Sequence, residues 1–228
     1  MYVSNYIHLN ICDYSIFLIN IYGIVMKFKE FVIRYNLEIL TIVNAILIIY
    51  SFINWNNFQM TRNFIVLFTL AVTLHEWEEG RFPGGFVEMM TSRMGGDIKI
   101  DPHLSHIAVD IGIVLYTIVP FFFNNIVWLF LAPMILGLIE FIMHIAGIKI
   151  FHLKKPYTPG LISAILMGII SILAIVYLTL NIVTTPLDWI VGILYTVIVF
   201  AFMEIMVFSL NGINPKEMIK NLRNKESS

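Results

Sequence analysis

The chain has 228 residues, 59% of them hydrophobic and 13% charged, with a mean hydropathy of +0.85 and a formal net charge of -1. Soluble domains run at about 45–50% apolar and about 25% charged residues, so this composition excludes an ordinary soluble globule. No basic block with interleaved aromatics is present, which excludes nucleic acid as a partner. The single cysteine, Cys12, excludes an internal disulfide and a thiolate zinc site, so any metal would be held by nitrogen and oxygen.

Residues 1–25 are rich in Tyr, Asn and Ile and form an N-terminal extension that reads in two ways. Met26-Lys27-Phe28-Lys29-Glu30 resembles a second protein start, so one reading begins translation at Met26. The other keeps 1–25 as a real, interfacial segment. A spanning helix needs about 20 mostly apolar residues, and six stretches qualify: 36–54, 62–80, 104–123, 125–148, 159–180 and 187–210. Turn chemistry separates them at Asn54-Trp55-Asn56-Asn57, Phe82-Pro83-Gly84-Gly85, Asn124-Asn125, Lys154-Lys155-Pro156 and Thr184-Thr185-Pro186.

The basic residues alternate with these spans. Lys27, Lys29 and Arg34 precede the first; Arg81, Arg93 and Lys99 follow the second. Lys149, Lys154 and Lys155 follow the fourth, and Lys216, Lys220, Arg223 and Lys225 follow the sixth. The connections on the opposite side hold only Arg62. By the positive-inside rule both termini are expected in the cytoplasm. The expected fold is therefore all-α: a polytopic transmembrane helix bundle of about six spans, one domain over 26–212, and a short cytoplasmic tail over 213–228.

Ionisable side chains at membrane depth are expensive and mark function. This topology gathers them at one level. His75, Glu78 and Glu79 fall at the cytoplasmic end of the second span, His103, His106 and Asp110 at the start of the third, Glu140 and His144 in the last third of the fourth, and Glu204 near the end of the sixth. Residues three or four apart share a helix face. His75 thus groups with Glu78 and Glu79, His106 with His103 and Asp110, and Glu140 with His144, while Glu76 reads as an interfacial bystander. Helix bundles build metal sites from such His and carboxylate faces, and the donor set suits zinc, iron or manganese. Asp101-Pro102 reads as a helix start, Arg81 as a positive-inside anchor and His152 as a surface residue.

His75-x-x-Glu78-Glu79, Glu140-x-x-x-His144 and Tyr157-Thr158-Pro159-Gly160 follow one another in the chain. The first and last resemble the motifs of the HXXEE family of bacterial membrane proteins. The middle one resembles that family's Asn-x-x-x-His, with Glu140 in place of Asn. The resemblance covers about residues 62–180. It implies an integral protein of the bacterial cytoplasmic membrane and names no reaction, since the family's function is uncertain.

The expected function is that of a metal-dependent membrane hydrolase. His75, His144 and one or both of Glu79 and Glu140 would hold a divalent transition metal, with His106 as a further ligand. Glu78 would act as general base on water activated by that metal, and Tyr157 would donate to a developing oxyanion. The substrate would be a lipid, a lipidated peptide or a membrane-embedded segment at the cytoplasmic leaflet. The layout resembles intramembrane prenyl-protein endopeptidases without their Glu-Glu-x-x-x-Arg, because Pro83 stands four residues after Glu79. A di-iron lipid oxidase is a lesser alternative. A proton- or cation-coupled transporter is the alternative of another class. Depth separates the two classes: a site confined to one leaflet favours the enzyme, and a polar column through the bundle favours transport.

Overall fold

The protein, described by a computed structural model over residues 3–94 and 100–214, is built of α-helices, with no strand among the described residues. Lys99 and the tail beyond residue 214 lie outside the described residues. The chain divides into two units after Asn36. The first contains α1 (Val3–Arg34), which ends one residue before α2 (Asn36–Ile53).

The second unit holds the bundle. After α2 come a 3-10 turn at Trp55–Asn57, α3 (Met60–Gly80), α4 (Phe86–Met94), α5 (Pro102–Tyr116), α6 (Ile118–Phe122), α7 (Val127–Ile150), α8 (Leu161–Asn181) and α9 (Pro186–Leu210). Five helical stretches are long and apolar enough to cross a membrane: α2, α5 continued by α6, α7, α8 and α9. Their bounds follow the spans read from the sequence to within about three residues.

α3, the second of the six expected spans, is absent from those five, although it has 21 residues. Arg62, Glu76, Glu78 and Glu79 lower its apolar content. It is instead the helix the others enclose. Ile65, Val66, Phe68 and Ala71 are fully buried against Phe130, Leu131, Met134 and Met167 of α7 and α8. A helix screened from lipid by its neighbours can carry polar groups that a lipid-facing helix cannot. α9 is the opposite case, with Leu187, Ile190, Ile193, Leu194, Val197 and Ile198 exposed.

The third span is broken at Thr117. Pro120 cannot donate to the carbonyl of Tyr116, and its ring crowds that carbonyl, so α5 stops there and α6 restarts. Pro133 lies inside α7 without ending it. Beside it, the buried Thr196 hydroxyl of α9 donates to the Ala132 carbonyl at 3.2 Å, one way in which a neighbouring helix satisfies backbone near a membrane proline. Asp101 and Pro102 start α5 as the sequence implies: the Asp101 carboxylate caps the helix by accepting from the His103 backbone N–H at 2.9 Å. Asn211, just past α9, accepts from the Asp101 N–H and donates to Ser105, which ties the start of α5 to the end of α9.

The segment from Arg81 to Gly85 turns the chain, with Gly84 and Gly85 at positive φ. It then forms the short helix α4, where the sequence reading has only a loop. The Arg81 guanidinium lies 3.5 Å from Glu38 of α2.

Candidate metal centre

The motif histidines meet between α3, α7 and the start of α8. His75 and His144 are each 3% exposed, and their rings sit edge to face with centroids 4.9 Å apart. Glu79 stands between them, with Oε1 3.4 Å from His75 Nε2 and 3.1 Å from His144 Nε2. Glu140 faces the same two atoms from farther out, with Oε2 3.9 Å and 3.7 Å away.

The other ring nitrogens fix the tautomers. His75 Nδ1 is 3.1 Å from the Gly160 carbonyl and 3.1 Å from Ser163 Oγ. A carbonyl only accepts, so Nδ1 carries the proton. His144 Nδ1 is 2.9 Å from Thr158 Oγ1, and that hydroxyl donates onward to the His144 carbonyl at 3.3 Å. With its own proton spent there, Thr158 accepts from His144 Nδ1–H. When neutral and donating from Nδ1, each imidazole turns an unprotonated Nε2 toward two carboxylates. Four acceptors facing one point need a cation, either protons or a metal ion. The ligand atoms of His75, Glu79 and His144 lie within 4.8 Å of one another, and this group could hold a metal ion. Donors about 2.0–2.1 Å from a tetrahedral ion stand about 3.3 Å apart, close to the 3.1 and 3.4 Å found between Glu79 and the histidines.

Gly160 closes this centre. At φ 93° it is left-handed, and a Cβ there would fall 2.7 Å from His144 Cε1, 2.8 Å from Glu79 Cγ and 2.8 Å from His75 Cε1. Only glycine leaves the three side chains room while presenting its carbonyl to His75. Thr158 and Gly160 both belong to the Tyr157-Thr158-Pro159-Gly160 motif, which explains why that motif accompanies the histidines.

Glu78 points to a different task. Oε1 accepts from the Tyr157 hydroxyl at 2.8 Å and the Ile162 N–H at 3.1 Å, and Oε2 from the Ser163 N–H at 2.8 Å and the Ser163 hydroxyl at 2.5 Å. Ile162 and Ser163 are in the first turn of α8, whose backbone N–H groups have no partner within the helix. Glu78 thus caps α8 from another helix, at the end that favours negative charge. A base role would require it to release four donors. Tyr157 is likewise engaged; burial, followed by its bond to Glu78, pushes its hydroxyl up to about 12.

His106 does not join the His75–Glu79–His144 group, so the further ligand expected from the sequence is not among the atoms brought together there. Its Nδ1 instead faces Glu76 Oε2 at 3.7 Å, and its ring lies where a Cβ on Gly80 would stand. Glu76 is only 5% exposed, which corrects its reading as an interfacial bystander. It points from α3 toward His106 of α5. His152 is exposed, as the sequence implies. Ser163 and Thr158, both missed in the sequence reading, are the hydroxyls that hold the histidines.

A cleft opens beside the centre, between α3, α4, α5 and α9. Glu79 lines it together with Glu76, His106, Ser105 and Glu204, and the rest of its wall is apolar. Glu79 therefore belongs to both the metal group and the cleft.

The fold and the site define a class: an α-helical protein with helices long and apolar enough to span a membrane and a buried His–carboxylate group that could hold a metal. Residues 66–177 match the family described as "Protein of unknown function with HXXEE motif", and over this segment the chain is similar to that family. The match runs from α3 into α8 and contains all the residues of the candidate centre. No curated protein and no solved structure matches the chain significantly.

Proposed function

We propose that the protein is a metal-dependent integral membrane enzyme, a hydrolase acting on a lipid or lipid-embedded substrate at the cytoplasmic leaflet. The observation that carries this reading is the pair of tautomers. The Gly160 carbonyl and the Thr158 hydroxyl each take the Nδ1 proton of one histidine, which leaves both Nε2 atoms as ligands. Such outer partners are the usual means of orienting metal-bound histidine.

His75, His144 and Glu79 hold the metal, with zinc, iron and manganese all suited to nitrogen and oxygen donors. When bound, the metal polarises a carbonyl and makes water a competent nucleophile near neutral pH. Glu140, a few tenths of an ångström farther from each histidine than Glu79, takes the proton from the attacking water. The base role thereby moves to Glu140 from Glu78, which is occupied with α8. The enclosed apolar wall lowers the local dielectric and strengthens each of these interactions.

The apolar core of α3, Ile65 to Ala71, supports the enzyme over the transporter. Ile65, Val66, Phe68 and Ala71 are fully buried between the centre and Arg62 and Asn124 at the other end; the buried polar groups along that stretch, Thr69, Thr73 and Asn44, carry no charge, so among the described residues no ionisable column crosses the bundle. The test is elemental analysis of the purified protein. One transition metal per chain is expected, lost in His75→Ala and His144→Ala. A wild-type protein that binds no metal after incubation with zinc, iron(II) and manganese overturns the proposal.

A further inference from the structure

The cleft beside the centre has a pronounced charge asymmetry. Its apolar wall comes from Phe86 and Met90 of α4, Ile100 and Val109 at α5, and Val207 and Phe208 of α9. Among the described residues its ionisable side chains are Glu76, Glu79, Glu204 and His106, and none of them is a lysine or arginine. The nearby Arg81 is paired with Glu38 of α2 at 3.5 Å.

Glu204 is the most telling of these. It is the one carboxylate of α9 beyond Asp188 in the first turn, it sits among lipid-facing residues, and it is exposed at the cleft. A carboxylate at that depth calls for a cationic partner, and no salt bridge within the described residues supplies one. Behind it, Glu76 and the His106 ring form a second polar wall, and Asp110 Oδ1 is buried without a hydrogen-bond partner. The cleft thus offers acceptors and negative charge at its polar side and an apolar lining elsewhere.

We infer that this cleft binds a cationic amphiphile, an amine- or ammonium-bearing lipid or lipidated molecule, with its nitrogen against Glu204 and Glu76 and its chain along α4 and α9. The same field turns away anionic lipids, so the cleft selects by repulsion as well as attraction. This deepens the enzymatic reading by naming the substrate class, and it rests on that reading for the consequence of binding. The binding itself needs no metal.

The experiment compares a spin-labelled long-chain amine with the spin-labelled fatty acid of equal length. Each is added to the full chain, stripped of metal by chelation, in phosphatidylcholine vesicles. Electron paramagnetic resonance reads the immobilised fraction. A preference for the amine on the order of tenfold is expected, the scale of one hydrogen-bonded charge contact. Glu204→Gln should reduce it several-fold, and Val207→Trp or Met90→Trp, which fill the cleft from opposite walls, should abolish it. Circular dichroism and a monodisperse gel-filtration profile in detergent identify which variants fold. Equal binding, a preference for the acid, full preference in Glu204→Gln, or preference that survives a folded tryptophan variant overturns the inference. Metal content is measured separately, so failure of the metal reading and failure of the cleft assignment give different results.

Discussion

Replacing Gly160 by alanine tests the candidate centre without touching any ligand. The backbone at Gly160 is left-handed, which costs an L-residue about 1–2 kcal/mol. The added methyl would also stand 2.7–2.8 Å from carbons of His144, Glu79 and His75. None of these three can withdraw freely, because both rings are pinned at Nδ1 and Glu79 lies between them. Overpacking of this kind costs about 1–3 kcal/mol, for a total of about 2–5 kcal/mol. Gly85 supplies the control. It has the same φ of 93° with nothing within 4 Å of its added Cβ, so Gly85→Ala carries the backbone penalty alone. Thermal unfolding in detergent and metal content by elemental analysis should separate the two. Gly160→Ala should be the less stable by the packing contribution and should lose most of its metal, whereas Gly85→Ala should keep it. Equal stability and equal metal content in the two variants would refute the closed geometry assigned to Gly160.

Thr158→Val removes the acceptor for His144 Nδ1 and should lower metal affinity about 10–100-fold, read by competition with a chromogenic chelator. Glu78→Gln should leave metal stoichiometry near wild type yet destabilise the protein by about 1–3 kcal/mol, since at least one donor at the start of α8 loses its charged partner; loss of metal at unchanged stability would restore the base role to Glu78. Glu140→Gln should retain metal and abolish hydrolysis of any substrate found, as a metal-content and turnover comparison would reveal. The Tyr157 hydroxyl, pushed up to about 12 from 10.0, contributes stability that is complete below about pH 10 and is lost as pH rises toward 12, because the folded protein holds the proton more tightly than the unfolded chain. Difference absorbance near tyrosinate wavelengths should show a tyrosine titrating near 12 whose contribution disappears in Tyr157→Phe.

Hydropathy made the spans legible because lipid imposes one requirement, a long apolar helix, on each of them. The pairing of His75, Glu79, Glu140 and His144 was legible too, since three- and four-residue spacing and a common depth constrain where such groups can meet. Less could be read where contacts run between helices. Glu78 and Glu79 are neighbours with the same chemistry, and only the position of α8 decides that one caps a helix while the other faces the histidines. Glu76 reads as solvated because helical spacing sets it apart from His75, but α5 lies against that side and buries it. The break at Thr117 had a signal in Pro120, four residues after Tyr116. Ser163 had a weaker one: a hydroxyl in the first turn of a helix just after Gly160.

The capping of α8 by Glu78 also acts as a ruler. One residue of sliding along a helix is about 1.5 Å of travel and about 100° of rotation, enough to remove Ser163 from both Glu78 and His75. A single carboxylate, gripped by two consecutive backbone N–H groups, therefore sets the axial register of α8 against α3. Gly160 and Thr158 lie immediately before that grip, so the same registration positions the acceptors of both histidines. The paired glutamates of the motif divide the labour: one measures out the site, and the other occupies it.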